Sequence, residues 1–358
     1  MKRGFGGLAA GALSVLALAA CGDDAGSEIA AAPTDPEAPV EGELRVFAYE
    51  DTVTDALLDP FREANPGLDV RTATFGSNQQ AAAKMAGGFE ADVVEVCLDE
   101  MAPLKARGLL RPLDPEGVAA WDDLEFTDAE GVREDGQVYV VPLSAGPQGL
   151  IYSTEAIPGG VEAFADLFDP RFAGRVALEG DYSLPPIAET ALVLGIEDPM
   201  NLSPSELEQV GAHLAANRAQ FRTLWRSDSD LVTLFKSGEI DLADGGPGVA
   251  QRIRDAGVPV EWVAPSEGVL SWVCGLAITS SAQNPEAAYA LINWQASREA
   301  QAIRAEGGYV VTNPTAMSLV PRPYRATADP ESIADAIPET EPPDFDQWTR
   351  TFEEFQAG

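Results

Sequence analysis

Histidine and lysine are scarce in this 358-residue chain: His213 stands alone, and the lysines are Lys2, Lys84, Lys105 and Lys236. One histidine leaves no Ser/His/Asp or Cys/His arrangement for nucleophilic catalysis, and no His/Cys cluster with metal-site spacing. His213 falls in a helical stretch and reads as a helix-surface residue. No lysine follows a glycine-rich loop at Walker spacing and no GxGxxG occurs, so the usual phosphate and dinucleotide signatures are missing. The Gly245-Gly-Pro-Gly248 run reads first as a strand-to-helix turn, with an anion cradle at a helix N-terminus as the alternative. A carboxylate-pair hydrolase can be drawn from Asp99, Asp181 or Asp244, but such sets arise by chance in a chain this acidic. No cofactor and no catalysis are expected.

Positive charge is the second shortage, with 23 Lys and Arg against 58 Asp and Glu and a net charge of −35. Nucleic acid and anionic membrane surfaces are repelled over a Debye length of about 8 Å or more, whereas cations are drawn in. A solvated acidic surface, as in a salt-tolerant organism, accounts for the balance equally well, so acidity by itself does not name a ligand.

Long apolar runs are also lacking. The stretch from Leu8 to Ala20 is shorter than the about 20 residues that span a bilayer. It follows Lys2-Arg3 and runs into Leu18-Ala19-Ala20-Cys21, which is the pattern of a signal peptide with a lipobox. Residues 1–20 are therefore expected to be a signal peptide, with Cys21 as the lipidated first residue of an exported lipoprotein. Of three cysteines, Cys97 and Cys274 then remain as an even pair in an oxidising compartment.

What the chain does hold is core. Hydrophobic residues make up 45%, enough for two cores at this length. Residues 21–42 are Asp-, Glu-, Ala- and Pro-rich and read as an acidic flexible tether. Beyond them, strands at 44–49, 68–74 and 91–97 alternate with helical spacing at 53–64 and 78–85, which predicts a parallel sheet flanked by helices. Two apolar runs, 137–143 and 149–152, bracket a polar segment, Ser144 to Gln148, where the chain is expected to cross into a second lobe. Ser203-Pro-Ser-Glu206 is a capping box, and Trp348, Phe352 and Phe355 mark a closing amphipathic helix.

The organising stretch is 267–281, a β-branched and aromatic run between Gly268 and Ser280-Ser281 that reads as a buried strand. A helix follows Asn284-Pro285, with Asn284 as N-cap, and Gly308-Tyr-Val-Val-Thr-Asn-Pro314 comes after it. This strand, the "N-P-E-A-A…L-I-N-W" helix and the segment after it resemble the substrate-binding proteins of polyamine ABC transporters, in collinear order from about Glu43 to the C-terminal helix. The resemblance implies an α/β, two-lobed, type II periplasmic-binding-protein fold. Residues 43–145 and 275–325 would form the first lobe, and 146–274 with 326–358 the second, joined by hinge strands.

The same resemblance implies a monomeric solute-binding lipoprotein that serves an ABC permease from the periplasm or the outer face of the cytoplasmic membrane. Its ligand would be a small cation such as putrescine or spermidine. Tyr49, Trp272 and Tyr309 match pocket aromatics of the family and Asp181 matches an acid. Asp51 and Asp99, beside Glu50 and Glu100, are further candidates, because Cys274 and Leu184 stand where the family carries acids. In that fold the re-entering strand lies antiparallel to strand three, which implies a Cys97–Cys274 disulfide. Those lost acids keep other solutes open, among them a metal chelate, a sugar or an amino-acid derivative, as well as a sensor or scaffold lipoprotein without transport.

Overall fold

The computed structural model describes Met1 and residues 29–35 and 38–358. Residues 2–20 of the expected signal peptide, and Cys21, lie outside the described residues. Its strands are β1 (Gly42–Ala48), β2 (Leu68–Thr74), β3 (Val93–Cys97), a short hairpin of β4 (Arg133–Glu134) and β5 (Gln137–Val138), β6 (Val141–Ser153) and β7 (Val176–Glu179). Then come β8 (Phe221–Trp225), β9 (Leu242–Gly245), β10 (Val260–Val263), β11 (Leu270–Ile278) and β12 (Ile337–Pro338). The helices are α1 (Asp55–Ala64), α2 (Asn78–Ala86), α3 (Met101–Ala106), α4 (Leu184–Val193), α5 (Pro204–Ala216) and α6 (Asp228–Ser237). They continue as α7 (Pro247–Asp255), α8 (Pro285–Ala296), α9 (Arg298–Glu306), α10 (Arg325–Ala328) and α11 (Phe345–Ala357).

The sheet order is β2-β1-β3-β11-β6-β9-β7-β8, so one continuous ladder runs through both halves of the molecule. β1 is parallel to β2 and β3, and β7 is parallel to β8 and β9, as strands alternating with helices require. β6 and β11 run antiparallel to each other between these two parallel blocks and carry the chain from one to the other. Separate apolar cores sit at either end: Phe47, Leu58 and Tyr289 belong to the first, and Phe164, Leu214 and Trp348 to the second. The mixed α/β, two-lobed architecture expected from the sequence is what is found.

Local chemistry explains the junctions. Asn284 Oδ1 accepts the Ala287 N–H at 3.1 Å and Pro285 opens α8, while Ser203 and Glu206 close a reciprocal box at the start of α5. At the crossing, β11 shifts register against β6 between Cys274 and Gly275. A Cβ at Gly275 would overlap the Val141 carbonyl oxygen, so only glycine lets the two strands approach there.

Three features differ from the sequence reading. Ser144 to Gln148 is where the chain crosses, as expected, but the two apolar runs around it do not form separate strands: the second belongs with this segment to one 13-residue strand, β6, because β11 supplies ladder partners from Val141 through Gln148 that the polar side chains gave no hint of. The helix α9 follows α8 after Ser297, which caps it by accepting the Ala300 N–H. The tether is also docked earlier than its composition suggests. Ala30 is fully buried, its N–H donating to Pro112 O and its carbonyl accepting from the Tyr289 hydroxyl. Among the described residues no helix is long and apolar enough to cross a membrane.

Candidate functional site

The carboxyl ends of β1, β3, β7 and β9 open onto one cleft between the two blocks, with β6 and β11 as its back wall, which is where open α/β sheets place ligands. Three ends contribute a polar or aromatic tail, Tyr49 to Asp51 after β1, Asp99 and Glu100 after β3, and Asp181 and Tyr182 after β7, while β9 is followed by Gly246. The cleft leaves a cavity of about 200 Å³. All six side chains expected at the site (Tyr49, Asp51, Asp99, Asp181, Trp272 and Tyr309) line it.

Packing fixes their positions. Asn78, buried at the start of α2, donates to Glu95 O at 2.9 Å and accepts the Cys97 N–H at 2.8 Å, so it clamps the end of β3. The Tyr49 N–H donates to Glu95 Oε2 at 3.0 Å, and its ring stands edge-on to Phe75 with centroids 4.6 Å apart. Trp272 and Tyr309 meet edge to face at 6.0 Å and 70°. Glycines make room for both: a Cβ on Gly146 would lie 2.7 Å from the Trp272 ring, and one on Gly248 2.9 Å from the Tyr309 ring. Tyr309 sits on a segment held from α9, where Gln301 donates to Leu143 O and accepts from the Thr312 N–H, each at 2.8 Å.

Cys97 and Cys274 face each other across the β3 and β11 ladder, joined by a disulfide with Cα atoms 3.8 Å apart, and both line the cleft.

Nine carboxylate residues line the cleft against a single cationic one, Arg226, whose side chain is exposed. Removing carboxylates from water disfavours their charge, and like neighbours add to the effect. Burial, and then repulsion from Asp51, pushes Glu95 up to about 7. Asp228 is likewise pushed up to about 7, by burial and then Asp51. Burial raises Glu100, Glu179 and Glu339 well above the usual carboxylate range, with Asp99 adding to the first and third and Asp244 to the second. Behind the cleft, burial brings Asp244 to about 7 even though it accepts from Trp225 Nε1 at 2.7 Å. Asp99 is raised by burial and accepts from the Tyr182 hydroxyl at 2.7 Å.

That last bond crosses the cleft in its buried part, and Arg252 to Glu50 at 2.7 Å and Ser229 to Glu50 at 2.8 Å cross it nearer the surface, so the two lobes touch across it. Glu95, Glu179, Tyr182, Trp225, Asp228 and Glu339 are lining residues that the sequence reading did not single out. A signal existed for two: Glu179 and Tyr182 flank Asp181 at the same strand end. Glu339 had none, because it lies in a proline- and acid-rich stretch without periodicity. His213 is half-buried rather than on the surface of its helix, its ring edge-on to Phe168 at 4.7 Å, where burial lowers its pKa. It does not line the cleft. Leu184, at a position where the resemblance would place an acid, is fully buried in the second core. No group of three or more metal-ligating side chains is assembled among the described residues.

Residues 56–331 match the family model described as bacterial extracellular solute-binding protein. The chain is 28% identical over 338 residues to spermidine/putrescine-binding periplasmic protein 1 of Haemophilus influenzae, covering 92% of this chain and 90% of that one. Its backbone superposes with a TM-score of 0.71 on a spermidine/putrescine ABC transporter substrate-binding protein of Streptococcus pneumoniae, at 20% identity over 88% of this chain and 98% of the other. A binding protein of A. tumefaciens B6 in complex with glucopine gives 0.72 at 20% identity, over 88% and 100% of the two chains. These likenesses share the two-lobed binding-protein architecture. With a family match that spans most of its length and a cleft built from its own strand ends, the chain belongs to the bacterial extracellular solute-binding proteins.

Proposed function

We propose that this protein is the extracytoplasmic binding component of an ABC importer and that its solute is a small polycation of the polyamine class, held in the interlobe cleft without being chemically changed. The observation that carries the reading is the imbalance of nine carboxylates to one arginine around a cleft that also presents Tyr49, Trp272 and Tyr309. Arg252 already pairs with two of those acids, Glu50 at 2.7 Å and Asp228 at 3.0 Å, but an anionic or neutral solute would add nothing to compensate the others, whereas ammonium groups replace lost water with carboxylate contacts and gain about 0.5 to 2 kcal/mol from each aromatic face. The relative in Haemophilus influenzae carries a name in keeping with such a ligand. On this reading Tyr49, Trp272 and Tyr309 cover the methylene chain and face the amines, and Asp181, Asp99 and Asp51 supply counter-charge. Residues 43–145 and 275–325 close on 146–274 and 326–358 about β6 and β11, and the closed form docks on a membrane permease as a monomer. Lipidation at Cys21 would tether it at the periplasmic or outer face of the membrane.

A thermal-shift screen over di- and polyamines, amino acids, sugars and dicarboxylates tests the reading. Only amines are expected to raise the melting temperature; a shift with sugars or dicarboxylates, and none with amines, would refute it.

A further inference from the structure

We propose that Arg304 is a positioning residue: from inside the first lobe it sets Tyr49 and Tyr309, two aromatic faces on separate segments, through one buried network. The inference rests on the polycation reading above but concerns a residue that does not line the cleft. Arg304 is 2% exposed and lies in the last turn of α9. Its guanidinium donates to neutral oxygens, Nε and Nη2 to Gln295 Oε1 at 3.3 and 3.1 Å, and Nη2 to Thr52 Oγ1 at 3.2 Å. Nη1 has no partner among the described residues. Burying a cation with no carboxylate directly against it is costly, and an alanine like its buried neighbour Ala305 would serve the packing of the helix. The arginine therefore answers to something beyond that packing.

Its network reaches the cleft in two directions. Thr52, 252 residues away in sequence, accepts from Arg304 and donates its own hydroxyl to Glu95 Oε1 at 2.8 Å, while Glu95 Oε2 accepts the Tyr49 N–H at 3.0 Å. Both Glu95 oxygens are thus taken by the protein, so this acid, although it lines the cleft, holds the Tyr49 backbone and not a solute. Burial and Asp51 raise the Glu95 pKa, and the Arg304 charge offsets part of that rise, which keeps the acceptor of the Tyr49 N–H ionised over more of the pH range. In the other direction the Arg304 carbonyl accepts the Gly307 N–H at 2.9 Å and the Tyr309 N–H at 3.4 Å, closing the turn by which the chain leaves α9 for Tyr309. Gln295 Nε2 donates to Thr52 O at 3.4 Å and ties both arms to α8.

Calorimetric titration of putrescine into variants shown to melt cooperatively tests the proposal. Arg304→Gln removes a positive charge from beneath an acidic cleft, which by Coulomb attraction alone would tighten the binding of a cation. Loss of positioning predicts the opposite sign, binding weaker by about fivefold or more. Thr52→Val removes the shared hydroxyl without changing charge and is expected to weaken binding by a similar factor. Thr52→Ser, which keeps the hydroxyl, should recover most of that loss. In a Tyr49→Leu background Thr52→Val should lose most of its effect, because the ring it helps to place is gone. Unchanged or tighter binding by Arg304→Gln would overturn the proposal, as would Thr52→Val binding as Thr52→Ser does, or a Thr52→Val effect undiminished without the Tyr49 ring. Should Arg304→Gln fail to fold, the Thr52 variants and the double variant decide. All these results leave the polycation reading standing, whereas a wild type that binds no di- or polyamine removes that reading and this one with it.

Discussion

A cleft aromatic is only as well placed as the residue that leaves space for it. Trp272 leans over Gly146, where a Cβ would come within 2.7 Å of the indole. Gly146→Ala is therefore expected to push the ring out of position and weaken amine binding by on the order of threefold to thirtyfold, the worth of one cation–π contact. Unchanged affinity, with unchanged tryptophan fluorescence on titration, would show that the ring has room to spare. At this scale the sequence was readable where a residue follows a strand end: Tyr49, Asp99 and Asp181 sit there, and all reach the cleft. It was unreadable where the side chain's destination depends on a distant partner. Glu95 lies inside a strand that looks like core, and Glu339 is brought in only because β12 pairs with β11. His213 was misplaced for the same reason, since Phe168 lies 45 residues away in sequence and no periodicity announces it.

Among the elements, the pair β6 and β11 links the strands of one lobe to those of the other. The stretch that became β11 was plain in the sequence because its β-branched run ends at Ser280-Ser281 and a capped helix follows. Only half of its partner was legible, since Ser144 to Gln148 is polar and owes its strand conformation to ladder bonds with β11. The disulfide ties β11 to β3 across 177 residues of chain. Replacing both cysteines by serine is expected to cost about 2 to 4 kcal/mol of stability, chiefly through the freedom returned to the unfolded chain. Alkylation before reduction, read by peptide mass, should label neither Cys97 nor Cys274. Label on both would mean that the bridge is not formed in the protein.

For the whole molecule the governing quantity is the cleft's surplus of negative charge. Glu95, Asp228 and Asp244 are each pushed up to about 7 by burial, above the roughly 4 of an unfolded carboxylate. A carboxyl raised on folding contributes fully below its unfolded value and loses that contribution as pH rises through its folded value, because the native state holds the extra proton. Carboxylates with the opposite shift, such as Asp92 beside Arg45, lose their contribution only as pH falls below the ordinary range and so act outside this window. The melting temperature of the ligand-free protein is therefore expected to fall from about pH 5 to about pH 8, and the rise on adding a polyamine to grow over the same interval as the ligand's charge takes the protons' place. A melting temperature that climbs with pH across that interval would run against the account.

The most direct test is calorimetric titration of the wild type and Asp181→Asn with putrescine and spermidine. The account predicts saturable binding of one amine per chain, weaker by about tenfold or more in the variant. Absence of binding by either amine to well-folded wild-type protein would contradict it.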